Sequence, residues 1–114
     1  IRKGESVGYS RSFSARDDMH IAIVPIGYAD GVNRHLSNKG HFLLHGQKVP
    51  IIGNVCMDMC MIDVTEIPSA AAGDEVIIFG PELLVSDLAD EAETIPYELL
   101  TAVSRRVKRV YFHE

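Results

Sequence analysis

Phe42-Leu43-Leu44-His45-Gly46-Gln47-Lys48-Val49-Pro50-Ile51-Ile52 reads as a hairpin. Phe42 to Leu44 and Lys48 to Ile52 are apolar, β-prone arms, and His45-Gly46-Gln47 between them puts glycine in the tight position. Before this hairpin, Ile21 to Ile26 is a β-rich run bounded by Asp17-Asp18 and Gly27, and Asp30-Gly31 signals a turn. After it, Met59 to Val64 reads as a strand. Thr65 to Gly73 reads as a loop containing Pro68, and Glu75 to Phe79 as a strand ended by Gly80-Pro81. From Glu5 to Ser14, Val7, Tyr9, Arg11 and Phe13 fall on one parity, with Gly8, Ser10, Ser12 and Ser14 on the other, which is the period of a strand. Val32 to Gly40 reads as loop, and Val110-Tyr111-Phe112 as a last strand.

Helical signals come late. Ser86 suits the N-cap of a helix from Asp87 to Glu93, and Thr94 that of a segment running through Ser104, with Pro96 and Glu98 in its first turn. Leu99, Leu100, Val103 and Val107 would form its apolar stripe. The expectation is one mainly β domain over residues 1–114, a small β-barrel-like unit of short strands with one or two short helices near the C-terminus.

Composition narrows the function classes. With 46% hydrophobic and 24% charged residues, the 114-residue chain can bury one core. Its uncharged apolar runs are far below the roughly 20 residues of a membrane-spanning helix. A net charge of -5 argues against general affinity for nucleic acid. The cluster Arg105, Arg106, Lys108 and Arg109 reads as a solvated helix C-terminus, where cations are favoured. The start at Ile1-Arg2-Lys3-Gly4-Glu5 lacks the apolar core of a signal peptide, and the chain reads as part of something longer. On a strand, Cys56 and Cys60 would lie roughly 13 Å apart, beyond the reach of about 7 Å for a disulfide. They are expected to be reduced, as in the cytoplasm. His41 and His45 share that spacing without converging on a strand, so no metal is expected.

Reactive groups follow apolar runs at Gly27-Tyr28-Ala29-Asp30-Gly31 and at Asn54-Val55-Cys56-Met57-Asp58-Met59, where a rigid strand meets a loop able to face a ligand. Tyr9 can act as a base near neutral pH only if a cation such as Arg11 favours its phenolate; otherwise it is a half-buried strand aromatic. Tyr97, beside Pro96 at a helix start, suits a phosphate or simple packing on a neighbour. Amides around Cys56-Met57-Asp58 suit a substrate carboxylate. A nucleophilic role for Cys56 lacks an activating histidine nearby in sequence.

Gly27-Tyr28-Ala29-Asp30-Gly31, Cys56-Met57-Asp58-Met59, Gly73-Asp74-Glu75-Val76 and Thr94-Ile95-Pro96-Tyr97-Glu98, in this order, closely resemble the C-terminal domain of alanine racemase. The resemblance covers almost the whole chain, from Gly8-Tyr9-Ser10 to Arg106-Val107 and Arg109-Val110-Tyr111. It implies a pyridoxal phosphate enzyme with an N-terminal (β/α)8 barrel, absent from this chain, and a head-to-tail homodimer whose sites are shared between subunits. By that resemblance a barrel lysine carries the cofactor and serves as one base, while Tyr9 of the partner subunit serves the other face of the amino acid. Tyr28 and Met57 would reach the partner's site, the Met57 amide holding the substrate carboxylate. Tyr97 would bond the cofactor phosphate in its own subunit, and Arg34, Cys56, Asp58 and Ile95 match positions around the site and its access corridor. Asn54 departs from the pattern, since an arginine is usual there.

Two other readings stand beside this one. A non-catalytic dimerisation module of the same fold is opposed by the joint presence of Tyr9, Tyr28, Met57 and Tyr97. A racemase of broader range, acting on serine or lysine, is raised by Asn54. Neither Lys3, Lys39, Lys48 nor Lys108 lies in a cofactor motif, so this chain alone is expected to be inactive.

Overall fold

The computed structural model describes residues 1–7, 13–14 and 18–109, with the backbone only of Val7 and Phe13. The hairpin forms as β4 (His41–Leu44) and β5 (Gln47–Ile52), in antiparallel register with Leu44 opposite Gln47. The turn is tighter than expected, two residues long. Its residues both take positive φ, 51° at His45 and 75° at Gly46, the handedness that matches the twist of the flanking strands.

β6 (Cys60–Asp63) pairs with β5, β3 (Ile21–Val24) with β6, and β7 (Val76–Ile77) with β4, giving a curled antiparallel sheet in the order β3-β6-β5-β4-β7. Side-chain alternation then divides the sheet. Val24, Phe42, Leu44, Val49, Ile51, Cys60 and Ile62 line the inner face, against Leu88 and Ala89 of α1 (Val85–Glu91) and Leu99 of α2 (Pro96–Thr101). Ile52 and Met61 turn the other way and pack with Ile1, Met19 and Ile21. The structure is thus the mainly β, half-closed barrel with two late helices that the sequence implies. No helix among the described residues is long and apolar enough to cross a membrane.

Several boundaries differ from expectation. Instead of one strand from Glu5 to Ser14, the two ends of that segment pair with each other: β1 (Ser6–Val7) runs antiparallel to β2 (Phe13–Ser14), with Ser6 opposite Ser14. A period of two fits one strand or two arms of a hairpin equally well, and does not mark where the chain reverses. Tyr9 and Arg11, between them, lie outside the described residues, as do Val110, Tyr111 and Phe112. The loop expected at Val32 to Gly40 carries a single 3-10 turn, Arg34–Leu36, capped by the Asn33 side chain.

The helices begin one or two residues away from the expected caps. Leu84 caps α1, with Val85 packed on the core. Ile95 caps α2 because Pro96, with its fixed φ and missing N–H, fits the first helical position. α2 also stops at Thr101, whose hydroxyl donates back to the carbonyls of Tyr97 and Glu98. Val103 and Val107 therefore lie beyond the helix, and Leu100 is exposed.

The hairpin tip is pinned to the following loop. His45 Nε2 meets Asp74 Oδ2 at 2.8 Å, the Ala71 N–H donates to the same carboxylate oxygen at 2.8 Å, and Ser69 Oγ lies 3.3 Å from His45 Nδ1. The Ala71 amide, aided by His45, holds the Asp74 carboxyl below its ordinary 3.8. A depressed carboxyl stabilises the fold fully above the unfolded-state value and loses that contribution as pH falls through the lower, folded value. Asp74→Asn is expected to flatten the decline in melting temperature below pH 4 and to change it little between pH 4 and 5, relative to the parent; melts across pH 2.5–6 check this.

Candidate active site

The two motifs singled out in the sequence come together through the backbone. Gly27 ends the run after β3, and Tyr28–Asp30 form a 3-10 turn closed by Gly31 at φ 109°. The Asp30 carboxylate caps that turn, Oδ2 accepting from the Gly27 N–H at 3.0 Å. Alongside runs the connection from β5 to β6. The Tyr28 N–H donates to the Cys56 carbonyl at 2.9 Å, and the Ala29 N–H to the Met57 carbonyl at 3.0 Å.

These two bonds orient more than the carbonyls they use. Each peptide unit is planar and trans, so its N–H points opposite to its C=O. Fixing the Cys56 carbonyl toward Tyr28 aims the Met57 N–H away from the turn, and fixing the Met57 carbonyl aims the Asp58 N–H likewise. The segment is folded back on itself by the Cys56 N–H, which donates to the Met59 carbonyl at 2.9 Å. Two neighbouring amides held in this way form a surface suited to an anion.

Tyr28 is 42% exposed and Met57 52%, so both side chains are available outside the fold. Arg34 lies over the Tyr28 ring, its guanidinium carbon 5.3 Å from the centroid, which places a cation beside the same surface. Cys56 is half-buried and Cys60 fully buried, both as free thiols. Burial, reinforced by the neighbouring Cys56, pushes the Cys60 thiol up to about 12, so it is no nucleophile at neutral pH.

α2 adjoins this surface. Asn33 Nδ2 donates to Glu98 Oε1 at 3.4 Å, and the Ser104 N–H to the Asp30 carbonyl at 3.2 Å. Gly31 is required here twice over, for its positive φ and because a Cβ would stand 2.5 Å from the Ala102 carbonyl oxygen. Ile95 and Tyr97, at the start of α2, are 62% and 72% exposed. The fold therefore brings Tyr28, Arg34, Cys56, Met57 and Asp58 together at two paired turns, while Ile95 and Tyr97 are exposed at the start of α2, whose Glu98 reaches Asn33.

The expected helix-terminus role for the basic cluster does not hold, because α2 ends at Thr101 and the cluster lies beyond the reach of its dipole. Arg106 instead bridges two carboxylates, with Nε 3.0 Å from Asp30 Oδ1 and Nη2 2.9 Å from Asp58 Oδ1. Sequence reasoning missed this residue. In sequence it reads only as one cation of a helix terminus, because the partners that decide its place stand 76 and 48 positions earlier.

The family model for the alanine racemase C-terminal domain matches residues 1–111. The chain belongs to that family. It is 49% identical to alanine racemase 1 of Caldanaerobacter subterraneus subsp. tengcongensis, with all of this chain and 30% of that protein aligned. It is 46% identical to the alanine racemase of Desulfovibrio desulfuricans, over 97% of this chain and 30% of the other. Among solved structures, biosynthetic alanine racemase from Pseudomonas aeruginosa superposes with a TM-score of 0.96 at 38% identity, over 99% of this chain and 32% of that one. Alanine racemase from Bartonella henselae, with covalently bound pyridoxal phosphate, gives 0.94 at 40% identity, over 98% and 32%. This racemase domain thus spans about a third of the length of the relatives it matches.

The phenol of Tyr97, exposed at the start of α2, is a donor of the kind a phosphate group takes. Lys39 is paired with Glu93 at 3.1 Å. Among the described residues, no group of three or more His, Cys, Asp or Glu is placed to hold a metal.

Proposed function

We propose that the longer protein containing this chain is a pyridoxal phosphate-dependent alanine racemase, interconverting L- and D-alanine for peptidoglycan synthesis in the cytoplasm. It works as a homodimer, each site built from an N-terminal barrel that carries the cofactor lysine and from this domain of the partner subunit. The observation that carries the reading is the backbone pairing of Tyr28 and Ala29 with Cys56 and Met57, which turns the Met57 amide outward beside an exposed tyrosine.

Each residue then has a chemical task. The Met57 N–H binds the substrate carboxylate, a charge-assisted bond that fixes one substituent of Cα. Tyr28, stacked under Arg34, walls the approach to the site, and Asp58, Cys56 and Ile95 border it. Tyr97 donates to the cofactor phosphate. Tyr9 takes or returns the α proton on one face of the substrate, and the barrel lysine acts on the other, because a single base would mostly restore the original hand. When bound, the cofactor supplies the sink for the electron pair left on Cα.

The test is to supply the full-length protein with pyridoxal phosphate and L-alanine and to follow D-alanine. Racemisation by the full-length protein, and none by residues 1–114 alone, is the expected result. Activity of the isolated chain, or its absence from the full-length protein, would refute the reading.

A further inference from the structure

We propose that Arg106 is a positioning residue for substrate-carboxylate binding, locking the loop that carries Met57 against the turn that carries Tyr28. The proposal rests on the racemase reading above. Three segments distant in sequence meet at this side chain. Asp30 caps the Tyr28 turn through Oδ2 and gives its other oxygen to Arg106 Nε; its side chain is only 12% exposed. Asp58, directly after Met57, receives Arg106 Nη2. The backbone of the same segment is seated by the Ser104 N–H on the Asp30 carbonyl, and the Ser104 hydroxyl in turn accepts from the Arg106 N–H at 3.1 Å.

A guanidinium suits this position for geometric reasons. Its planar fork offers Nε and Nη2 donors at a fixed angle, so one side chain sets the separation of two carboxylates, whereas an ammonium is a point charge. Without Arg106, Asp30 and Asp58 would face each other as like charges across the junction that fixes the Met57 peptide plane. Arg106 itself touches no substrate; it acts through Asp58 and the neighbouring amides. Its loss should therefore weaken ground-state binding of the carboxylate more than the proton transfers.

The experiment uses the full-length enzyme with Arg106→Met, Arg106→Lys and Arg109→Met. Arg109 is the charge control, because its guanidinium bonds carbonyls of its own segment, at Val103, Ser104 and Val107. Arg106→Met is expected to raise KM for L-alanine about tenfold with kcat within about twofold of the parent, the signature of lost binding rather than lost chemistry. Amide exchange over residues 27–31 and 54–59 should quicken while the β4–β5 hairpin keeps its protection. Arg106→Lys should fall between, and decides the matter if the methionine variant does not fold; Arg109→Met should match the parent. Unchanged exchange in the two segments, equal KM values for all variants, or a fall in kcat alone would overturn the proposal. An inactive parent would overturn the racemase reading as well, and so is distinguishable from failure of this inference alone.

Discussion

Full-length protein carrying Tyr9→Phe is expected to interconvert L- and D-alanine about 10²–10⁴-fold more slowly than the parent, the usual worth of a positioned acid–base group. The substitution removes one oxygen and keeps the ring, so packing and substrate binding should change little. KM for alanine should stay within about threefold of the parent and kcat should fall, because a group acting only in the transition state leaves ground-state affinity alone. The lysine on the opposite face would survive, and with it exchange of the α proton of one enantiomer with solvent. Deuterium uptake into one hand of alanine without inversion is thus a second expected result, followed by proton NMR in heavy water. An undiminished racemisation rate would show that Tyr9 carries no proton.

Gly27→Ala is expected to cost about 2–4 kcal/mol of stability and to weaken alanine binding as well, for a reason independent of Tyr9. Gly27 has φ -149°, a conformation open to any residue, so the obstacle is space rather than backbone strain. A Cβ there would stand 2.1 Å from the Cys56 carbonyl oxygen and 2.5 Å from that of Met57. Both are main-chain atoms that no rotamer change can move, and they are the acceptors for Tyr28 and Ala29. Relief of the clash must push the two motifs apart, losing both bonds and the aim of the Met57 amide. Gly46→Ala is the contrast: its Cβ meets nothing within 4 Å, so the strain of φ 75° is its whole cost, about 1 kcal/mol. Denaturant melts of the two variants should separate clearly, and a Gly27 variant as stable as the Gly46 variant would contradict the close approach.

The parts of the fold that local chemistry dictates were readable from the sequence. The β4–β5 hairpin announced itself through apolar arms and glycine at the turn, and the buried parity of Phe42, Leu44, Val49 and Ile51 follows from strand alternation alone. The motif pair at Tyr28 and Met57 was readable as two loops after strands, and the family likeness joined them. Features settled by long-range partners were not. The reversal between β1 and β2 is a pairing decision that alternation does not encode. The α2 cap shifted from Thr94 to Ile95 because the requirement of Pro96 for the first helical position outweighed threonine's side-chain cap. Arg106 was misplaced for the same reason: a helix assumed to run through Ser104 made it a dipole cation, whereas the early stop at Thr101 leaves it to the carboxylates of Asp30 and Asp58.

The division of labour between subunits can be measured by subunit complementation. Full-length subunits carrying Tyr9→Phe are co-expressed with subunits whose barrel cofactor lysine is replaced by alanine, each homodimer alone being slower than the parent by about 10²-fold or more. If Tyr9 serves the partner's site, every mixed dimer contains one site with both bases intact, and random pairing should restore about a quarter of parental alanine racemase activity. Mixed dimers as slow as the two variant homodimers would contradict it, since both bases would then have to come from a single subunit.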